Sequence, residues 1–160
     1  MTEPPDRMAA LRDATHTLQS IGASHALIGG LAVGIHSGVP RATLDVDLAV
    51  RSNVDRHRII EAFEGAGFRL IGEFPHSVNF RHATGEPVQL AFDSAFDPMI
   101  DRAERFDAGA ASVPLIRKAD LIVMKERAAA DPARRRSKAL RDRADIELLR
   151  GDVPDPDEGW

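Results

Sequence analysis

The chain contains no cysteine, and it has no long apolar segment. Without cysteine there can be no disulfide, no thiolate zinc site and no thiol nucleophile. No uninterrupted apolar run approaches the ~20 residues that a membrane-spanning helix needs. The first residues, MTEPPDRMAALRD, carry acids and prolines where a secretory signal would have an apolar core. We therefore expect a soluble, cytoplasmic protein with no membrane contact.

An excess of positive charge is also missing, since the formal net charge is -4 at pH 7. This net charge argues against electrostatic binding of nucleic acid over the whole protein surface. One basic cluster lies near the C-terminus: Arg134, Arg135, Arg136, Lys138, Arg141 and Arg143. Most of it is expected to be a solvated face. If the protein binds RNA, this cluster is where salt-sensitive phosphate contacts would form.

The length of 160 residues suits one domain that buries roughly two-thirds of its unfolded surface. No internal repeat and no low-complexity linker marks a second domain, so residues 1–150 are predicted to form a single unit. Residues 151–160 read GDVPDPDEGW, which is acidic and interrupted by proline. This tail is predicted to be poorly ordered.

Hydrophobic periodicity predicts short strands alternating with helices, and a C-terminal half that is helical. The predicted helices cover residues 6–21, 31–36, about 55–65, 98–105, 118–130 and about 131–150. The predicted strands cover residues 25–28, 44–50, 69–72, 77–82, 88–92 and 111–116, of which 77–82 and 88–92 form a hairpin. The fold class is therefore α/β (α+β), with a mixed central sheet and flanking helices.

The segment between Gly29 and Val50, GGLAVGIHSGVPRATLDVDLAV, concentrates the residues that suit phosphate chemistry. Side chains at i and i+2 of a strand share a face, so Asp45 and Asp47 are predicted to point the same way. Such a pair is a hard oxygen site suited to Mg²⁺. The Gly29-Gly30 pair would let backbone N–H groups approach a phosphate at the start of the next helix. Taken singly, the glycines also fit a tight turn and the aspartates a solvated strand edge.

In this order, Gly29-Gly30, Arg41, Thr43, Asp45 and Asp47 resemble the signature of the DNA polymerase beta-like nucleotidyltransferase superfamily. The chain is similar to its small bacterial branch, the toxins of type IV toxin–antitoxin systems (AbiEii-like). The stretch from Pro114 to Leu149, with a lysine on one helix and Lys-x3-Asp-x2-Asp on the next, also resembles the helical half of that branch. The resemblance covers most of the chain and implies a nucleotidyltransferase-like fold.

The resemblance implies that Gly29 and Gly30 hold the nucleotide phosphates, with Arg41, Thr43 and Lys125 as further nucleotide-binding candidates. It also implies that Asp45 and Asp47 bind one or two Mg²⁺ ions, with an NTP as substrate. A third carboxylate is expected on a neighbouring strand. There the sequence reads PVQLAFD, so Gln89 occupies the expected position.

A glutamine side chain brings no negative charge and cannot accept a proton as a base. Asp93 is the nearest carboxylate on the same strand face, but it lies roughly 13 Å further along at strand rise. It would join the site only if the strand bends or the site is displaced, and otherwise it is a turn or helix cap. Asp93 is thus an alternative third catalytic acid to be tested.

Three polar features of the helical half have ordinary structural interpretations as well. Lys125 either reaches the phosphates or lies at the margin of the core with its ammonium in solvent. The spacing of Lys138, Asp142 and Asp145 at i, i+4 and i+7 places them on one helix face. For Lys138 and Asp142 we expect a surface ion pair, or a link between the helices and the sheet. His36 is expected to pack at a helix end.

Two functions remain open. The leading one is Mg²⁺-dependent transfer of a nucleoside monophosphate from an NTP to a hydroxyl of RNA, protein or a small molecule, with a toxin-like module as one form of it. The alternative, motivated by Gln89, is a catalytically weakened protein of the same fold that binds a nucleotide or a protein partner, such as an antitoxin.

Overall fold

A computed structural model describes residues 6–40, 45–109, 111–155 and 157 of the chain. The helices are α1 Arg7–Ser20, α2 Gly29–Ser37, α3 Arg56–Gly65, α4 Asp97–Asp101, α5 Lys118–Ala130 and α6 Arg136–Leu149. The strands are β1 His25–Ile28, β2 Val46–Val50, β3 Arg69–Phe74, β4 Ser77–Arg81, β5 Pro87–Ala91, β6 Glu104–Asp107 and β7 Ser112–Leu115. Across the described ranges, no helix combines the length and apolar character needed to cross a membrane.

The strands form one mixed sheet of seven, in the order β3-β4-β5-β2-β1-β7-β6. β2 lies at its centre, antiparallel to β1 and parallel to β5. The predicted hairpin is confirmed as the antiparallel pair β4 and β5. The prediction of a mixed sheet flanked by helices, with a helical C-terminal half, is confirmed.

Helices cover both faces of this sheet, and the alternation along β2 separates the two layers. Val46 and Leu48 are fully buried on the side where α1 and α3 pack. An aromatic cluster closes that core, with the ring centroids of Phe63 and Phe80 4.7 Å apart. On the other side, α2 packs against β1 and β2, while α5 and α6 pack against each other and against α2. The side chain of Asp47 points toward this second layer.

Several predicted element boundaries differ from the structure, and three of the differences move the end of a helix by two to five residues. Helix α2 begins at Gly29 itself rather than at Leu31. The helix predicted for residues 98–105 ends at Asp101, because residues 104–107 pair with β7 as an edge strand. The last helix begins at Arg136 rather than at Asp131, whose carboxylate instead accepts a hydrogen bond from the Ala133 N–H within a turn. In the last two cases, a cross-strand pairing or a local hydrogen bond overrides the periodic pattern.

Candidate active site

The centre of the candidate site is the contact between Gly29 and Asp47. Strands β1 and β2 place Ile28 directly opposite Asp47, so the chain enters α2 beside this carboxylate. Gly29 has φ +73, and a Cβ added there would lie 2.3 Å from the Asp47 Oδ2 atom. A side chain is therefore excluded twice, by the left-handed backbone and by the carboxylate. The glycine is what allows the start of α2 to approach Asp47.

The start of α2 is an open helix N-terminus. The residue that precedes it, Ile28, provides no side-chain hydrogen bond to the first turn. The first N–H groups of a helix lack intrahelical partners and carry partial positive charge. Gly30 and Leu31, both half-buried, follow Gly29 in this turn. Backbone donors thus lie next to a carboxylate, which suits a ligand that combines an anion with a cation.

The pKa of Asp47 reports how unfavourable its negative charge is in the protein alone. Burial is the larger cause and the nearby charge of Asp45 the second, and together they raise this pKa to about 6. The positive charges of Lys125 and Lys138 partly offset this effect. Asp45 and Asp47 are therefore close enough to repel each other. A divalent cation would relieve both the burial cost and the repulsion.

Gln89 lies beside Asp47 on the neighbouring strand. In the parallel pairing of β2 with β5 the two residues are direct partners, and Asn79 of β4 is the next partner along the same row. The position next to the acid pair is thus held by a neutral amide. In the described part of the chain, no group of three or more His, Asp or Glu side chains is arranged to hold a metal ion.

Asp93 lies beyond the end of β5, which stops at Ala91. Its carboxylate accepts a hydrogen bond of 2.9 Å from the Ala95 N–H and caps the short turn Ser94–Phe96. The strand does not continue to Asp93, and its side chain makes the ordinary cap that a strand-end aspartate offers. The structure shows Asp93 as a cap and Gln89 as the neighbour of Asp47.

A cleft of about 230 Å³ lies between the acid side of the sheet and the C-terminal helices. Gly29, Asp47 and Gln89 line it from the sheet, while Lys125 and Arg134 line it from the helical side. A larger depression of about 440 Å³ lies elsewhere, around Gly22 and His25, and none of these cleft residues line it. The smaller cleft is the one that joins acids, a helix N-terminus and cations.

A buried ion cluster holds the helical wall of the cleft. The Nζ atom of Lys125 lies 3.3 Å from Asp142 Oδ1 and 3.0 Å from Asp145 Oδ2. Arg134 donates to the same Asp142 carboxylate, with its Nε 2.5 Å from Oδ2. Both aspartates are buried. The expected surface pair of Lys138 with Asp142 is therefore wrong, because Asp142 faces inward and is bound by Lys125 and Arg134, which joins α5 to the start of α6.

Lys138 is a further cation whose charge acts on the acid pair, although it does not line the cleft and the sequence suggested a surface ion pair for it. It lies on α6, one turn before Asp142, and its side chain is exposed. Because its charge lowers the pKa of Asp47, Lys138 lies toward the acid pair. The i, i+4, i+7 spacing was the available signal: once Asp142 and Asp145 face inward, Lys138 must lie on the same side.

The remaining candidates are divided by location. Arg41 and Thr43 lie outside the described residues. His36 bonds the Ile116 carbonyl oxygen through Nε2 at 2.7 Å, which ties α2 to the end of β7 and agrees with the packing role expected for it. Within the basic cluster, Arg134 belongs to the ion cluster, whereas the other members are exposed.

Comparisons with known proteins agree on the fold. No family model matches the sequence, and no curated protein matches it. Among solved structures, the lincosamide antibiotic adenylyltransferase LnuA, bound to lincomycin, is similar with a TM-score of 0.62 at 12% identity, covering 94% of this chain and 99% of that one. A nucleotidyltransferase-like protein from Paracoccidioides brasiliensis is similar with a TM-score of 0.59 at 23% identity, covering 91% of this chain and 76% of that one. The antibiotic-resistance factor ANT(2'')-Ia is similar with a TM-score of 0.58 at 17% identity, covering 89% of this chain and 88% of that one.

These similarities establish a nucleotidyltransferase fold for the chain. The resemblance found in the sequence is thereby confirmed at the level of fold. At such low identity the likeness carries neither substrate nor mechanism, and membership of the toxin branch stays a prediction.

Proposed function

We propose that this nucleotidyltransferase-fold protein transfers a nucleoside monophosphate from an NTP to a hydroxyl group, with Mg²⁺. The observation that carries the proposal is the contact of Gly29 with Asp47 at the uncapped start of α2. In this contact, the N–H groups that would bind phosphate lie beside the carboxylate that would bind the metal ion. A magnesium triphosphate calls for both kinds of group.

The donor set fits Mg²⁺, which is typically held in proteins by one or two carboxylates together with substrate phosphates. Asp45 and Asp47 would hold the ion, while the N–H groups of Gly29 and Gly30 would hold the phosphates. Lys125 and Lys138 add positive charge near Asp47. When bound, the ion offsets the negative charge that develops on the phosphates during transfer. With Gln89 in place of an acid, one ion is better supported than two.

The reaction forms one bond and breaks one. An oxygen of the acceptor hydroxyl bonds to the α-phosphorus of the NTP, the bond from that phosphorus to the bridging oxygen breaks, and pyrophosphate leaves. The proton of the hydroxyl passes to water, because the amide of Gln89 cannot accept it. The protein's contribution is therefore positioning and charge complementarity.

A small acceptor suits the site better than RNA or protein. The cleft has a volume of about 230 Å³. Two of the similar structures contain small molecules by their descriptions, lincomycin with LnuA and adenylyl-2''-tobramycin with ANT(2'')-Ia. The net charge of -4 also disfavours a large nucleic-acid footprint.

The second candidate function is binding of a nucleotide or a protein partner without turnover, and Gln89 favours it. Among the described residues, the neutral Gln89 beside Asp47 leaves the acid pair without a third carboxylate that could act as a base. A toxin-like role restrained by a partner protein would be one setting for either activity. Growth arrest on expression, relieved by Asp47→Ala, would support that setting.

The direct test incubates the protein with each labelled NTP, Mg²⁺ or Mn²⁺, and a mixture of small hydroxyl compounds, RNA and lysate. Transfer of label that is lost in Asp45→Ala and Asp47→Ala, but kept in Asp107→Asn, supports the enzyme. Asp107 lies exposed on edge strand β6 and is a matched control. No transfer with any NTP would overturn the leading function.

Calorimetry separates the two candidates. Binding of magnesium ATP without turnover supports the binding protein, whereas no binding of any nucleotide excludes both nucleotide-dependent functions. Gln89→Glu sharpens the distinction, since it adds the missing acid beside Asp47. We expect it to increase Mg²⁺ affinity by about tenfold or more. Appearance of turnover in this variant alone would identify Gln89 as the residue that silences the site.

A further inference from the structure

Beyond Gln89 the sheet continues as a polar surface, and none of the residues to which the proposed reaction assigns a role lie on it. We call it the β3–β4–β5 face. Its side chains follow from the strand registers, because direct partners in neighbouring strands share a face. Gln89 pairs with Asp47 on one side and with Asn79 on the other. The side of the sheet that carries Asp47 therefore extends across β5 and β4.

Two arginines lie on this face. Arg81 is two residues from Asn79 along β4, so it shares the same side, and it pairs directly with Arg69 of β3. Both are exposed. Arg81 donates one hydrogen bond to the Gly85 carbonyl oxygen. The other N–H donors of its guanidinium remain available to a bound anion. Within the described chain, no acidic side chain forms an ion pair with either of them.

A directly opposed pair of like charges is destabilising in an antiparallel sheet. Arg69 and Arg81 are such a pair. An acidic residue at either position would give an attractive pair in its place. An anion placed between two guanidinium groups would turn the repulsion into charge-assisted hydrogen bonds. The pair therefore has the chemistry of a phosphate site.

The same face offers neutral polar and aromatic contacts. Asn79 is half-buried in this row, so the accessible part of its side chain can contact a polar ligand, while its Oδ1 atom is buried and has no hydrogen-bond partner within the described chain. Phe74 pairs with Ser77 on this side, and its side chain is 52% exposed. An exposed phenylalanine can pack against the apolar side of a ring.

This face also lies where an acceptor has to enter. Gly29 and the start of α2 lie beside Asp47 on the β1 side, which is the side proposed for the phosphates of the NTP. In-line displacement brings the attacking oxygen from the side opposite the leaving pyrophosphate. That side is β5, and β4 follows about 10 Å from β2 at ordinary strand spacing.

Resting on the proposed nucleotidyl transfer, we propose that the acceptor is a small hydroxyl compound that carries a phosphate group. Arg69 and Arg81 bind the phosphate, and the hydroxyl approaches the acid pair past Asn79 and Gln89. A polycationic acceptor would be repelled by the arginines. RNA would need more phosphate contacts than this arginine pair alone supplies, and the net charge of -4 disfavours a larger footprint.

The test measures binding of four probes by calorimetry: ribose 5-phosphate, ribose, tobramycin and a short single-stranded RNA. The variants are Arg69→Gln, Arg81→Gln and their double variant. Arg58→Gln on α3 is the control, because Arg58 is exposed on a helix that packs against the other side of the sheet. We expect ribose 5-phosphate to bind more tightly than ribose, and to lose about tenfold in affinity or more in each variant but not in the control.

Three results would overturn the proposal: tighter binding of tobramycin, tighter binding of the RNA, or ribose 5-phosphate affinity unchanged in the double variant. Titration with magnesium ATP reports separately on the proposed function, since the arginine variants should keep nucleotide affinity. Loss of magnesium ATP binding in all proteins, with arginine-dependent binding of ribose 5-phosphate, would refute the nucleotidyltransferase and leave the phosphate site in place.

Discussion

Two aspartates face the same cleft in opposite electrostatic situations. Asp142 lies on the helical side, bound by Lys125 and Arg134. Asp47 lies on the sheet side, where within the described chain it has no ion pair and no hydrogen bond, and its pKa is raised to about 6. A buried acid with two cationic partners holds helices together. A partly buried acid without such partners, next to a second acid, is an unfavourable arrangement that a bound cation would relieve.

The difference predicts that changes on the two sides have opposite effects on stability. Lys125→Met should have the largest effect, because it leaves Asp142 and Asp145 buried with less compensation. We expect a loss of about 3–5 kcal/mol in the free energy of unfolding, measured by urea denaturation. Lys118→Met, at the exposed start of the same helix, should cost less than about 1 kcal/mol. A similarly small cost for Lys125→Met would show that the cluster is not structural.

Gly29→Ala should have the next largest effect. The new Cβ meets the Asp47 carboxylate at 2.3 Å and the backbone is in the left-handed region, so we expect a loss of about 2–4 kcal/mol. Gly22→Ala is a matched control, with φ +69 and nothing within 4 Å of its Cβ. It should lose only about 1–2 kcal/mol. Nucleotide affinity should fall with Gly29→Ala alone, and equal effects in both variants would contradict the contact with Asp47.

Asp47→Asn should stabilise the protein without metal. A raised pKa means that the folded state binds the proton more tightly than the unfolded state, so wild-type stability declines as pH rises from about 4 through about 6. Asparagine does not titrate. We therefore expect the variant to gain about 1–3 kcal/mol at pH 7.5 and the gain to vanish near pH 4, measured by denaturation at both pH values. Added Mg²⁺ should narrow the gap at pH 7.5 by stabilising only the wild type.

Arg69→Gln should have the smallest effect on the free energy of unfolding. As with Asp47→Asn, the change should be stabilising, because it removes an uncompensated charge. Removing one of two opposed arginines should raise the free energy of unfolding by about 0.2–1 kcal/mol in low salt, and the gain should shrink in high salt. Arg58→Gln should leave stability unchanged within about 0.5 kcal/mol. A loss of stability in Arg69→Gln would mean that the residue has a structural role at the sheet edge.

Local patterns predicted what depends on neighbours in the chain. Alternation along β2 placed Asp45 and Asp47 on one face, and the turn after residue 82 predicted the hairpin of β4 and β5. The strand β6 was missed, because its pairing with β7 is a contact between segments rather than a pattern within one. The ion cluster was missed for the same reason: Lys125 and Asp142 are 17 residues apart, and the charge spacing on α6 alone suggested a surface pair.

By itself, the sequence determined the mixed fold, the glycine pair ahead of a helix, the acid pair on one strand face and the absence of an acid at Gln89. Each of these follows from steric preferences and periods that act over a few residues. Only the tertiary structure decided which acids are compensated. It placed Gly29 against Asp47, Lys125 between Asp142 and Asp145, and Arg69 opposite Arg81. Charge interactions depend on distance and burial, which are set by segments far apart in the chain.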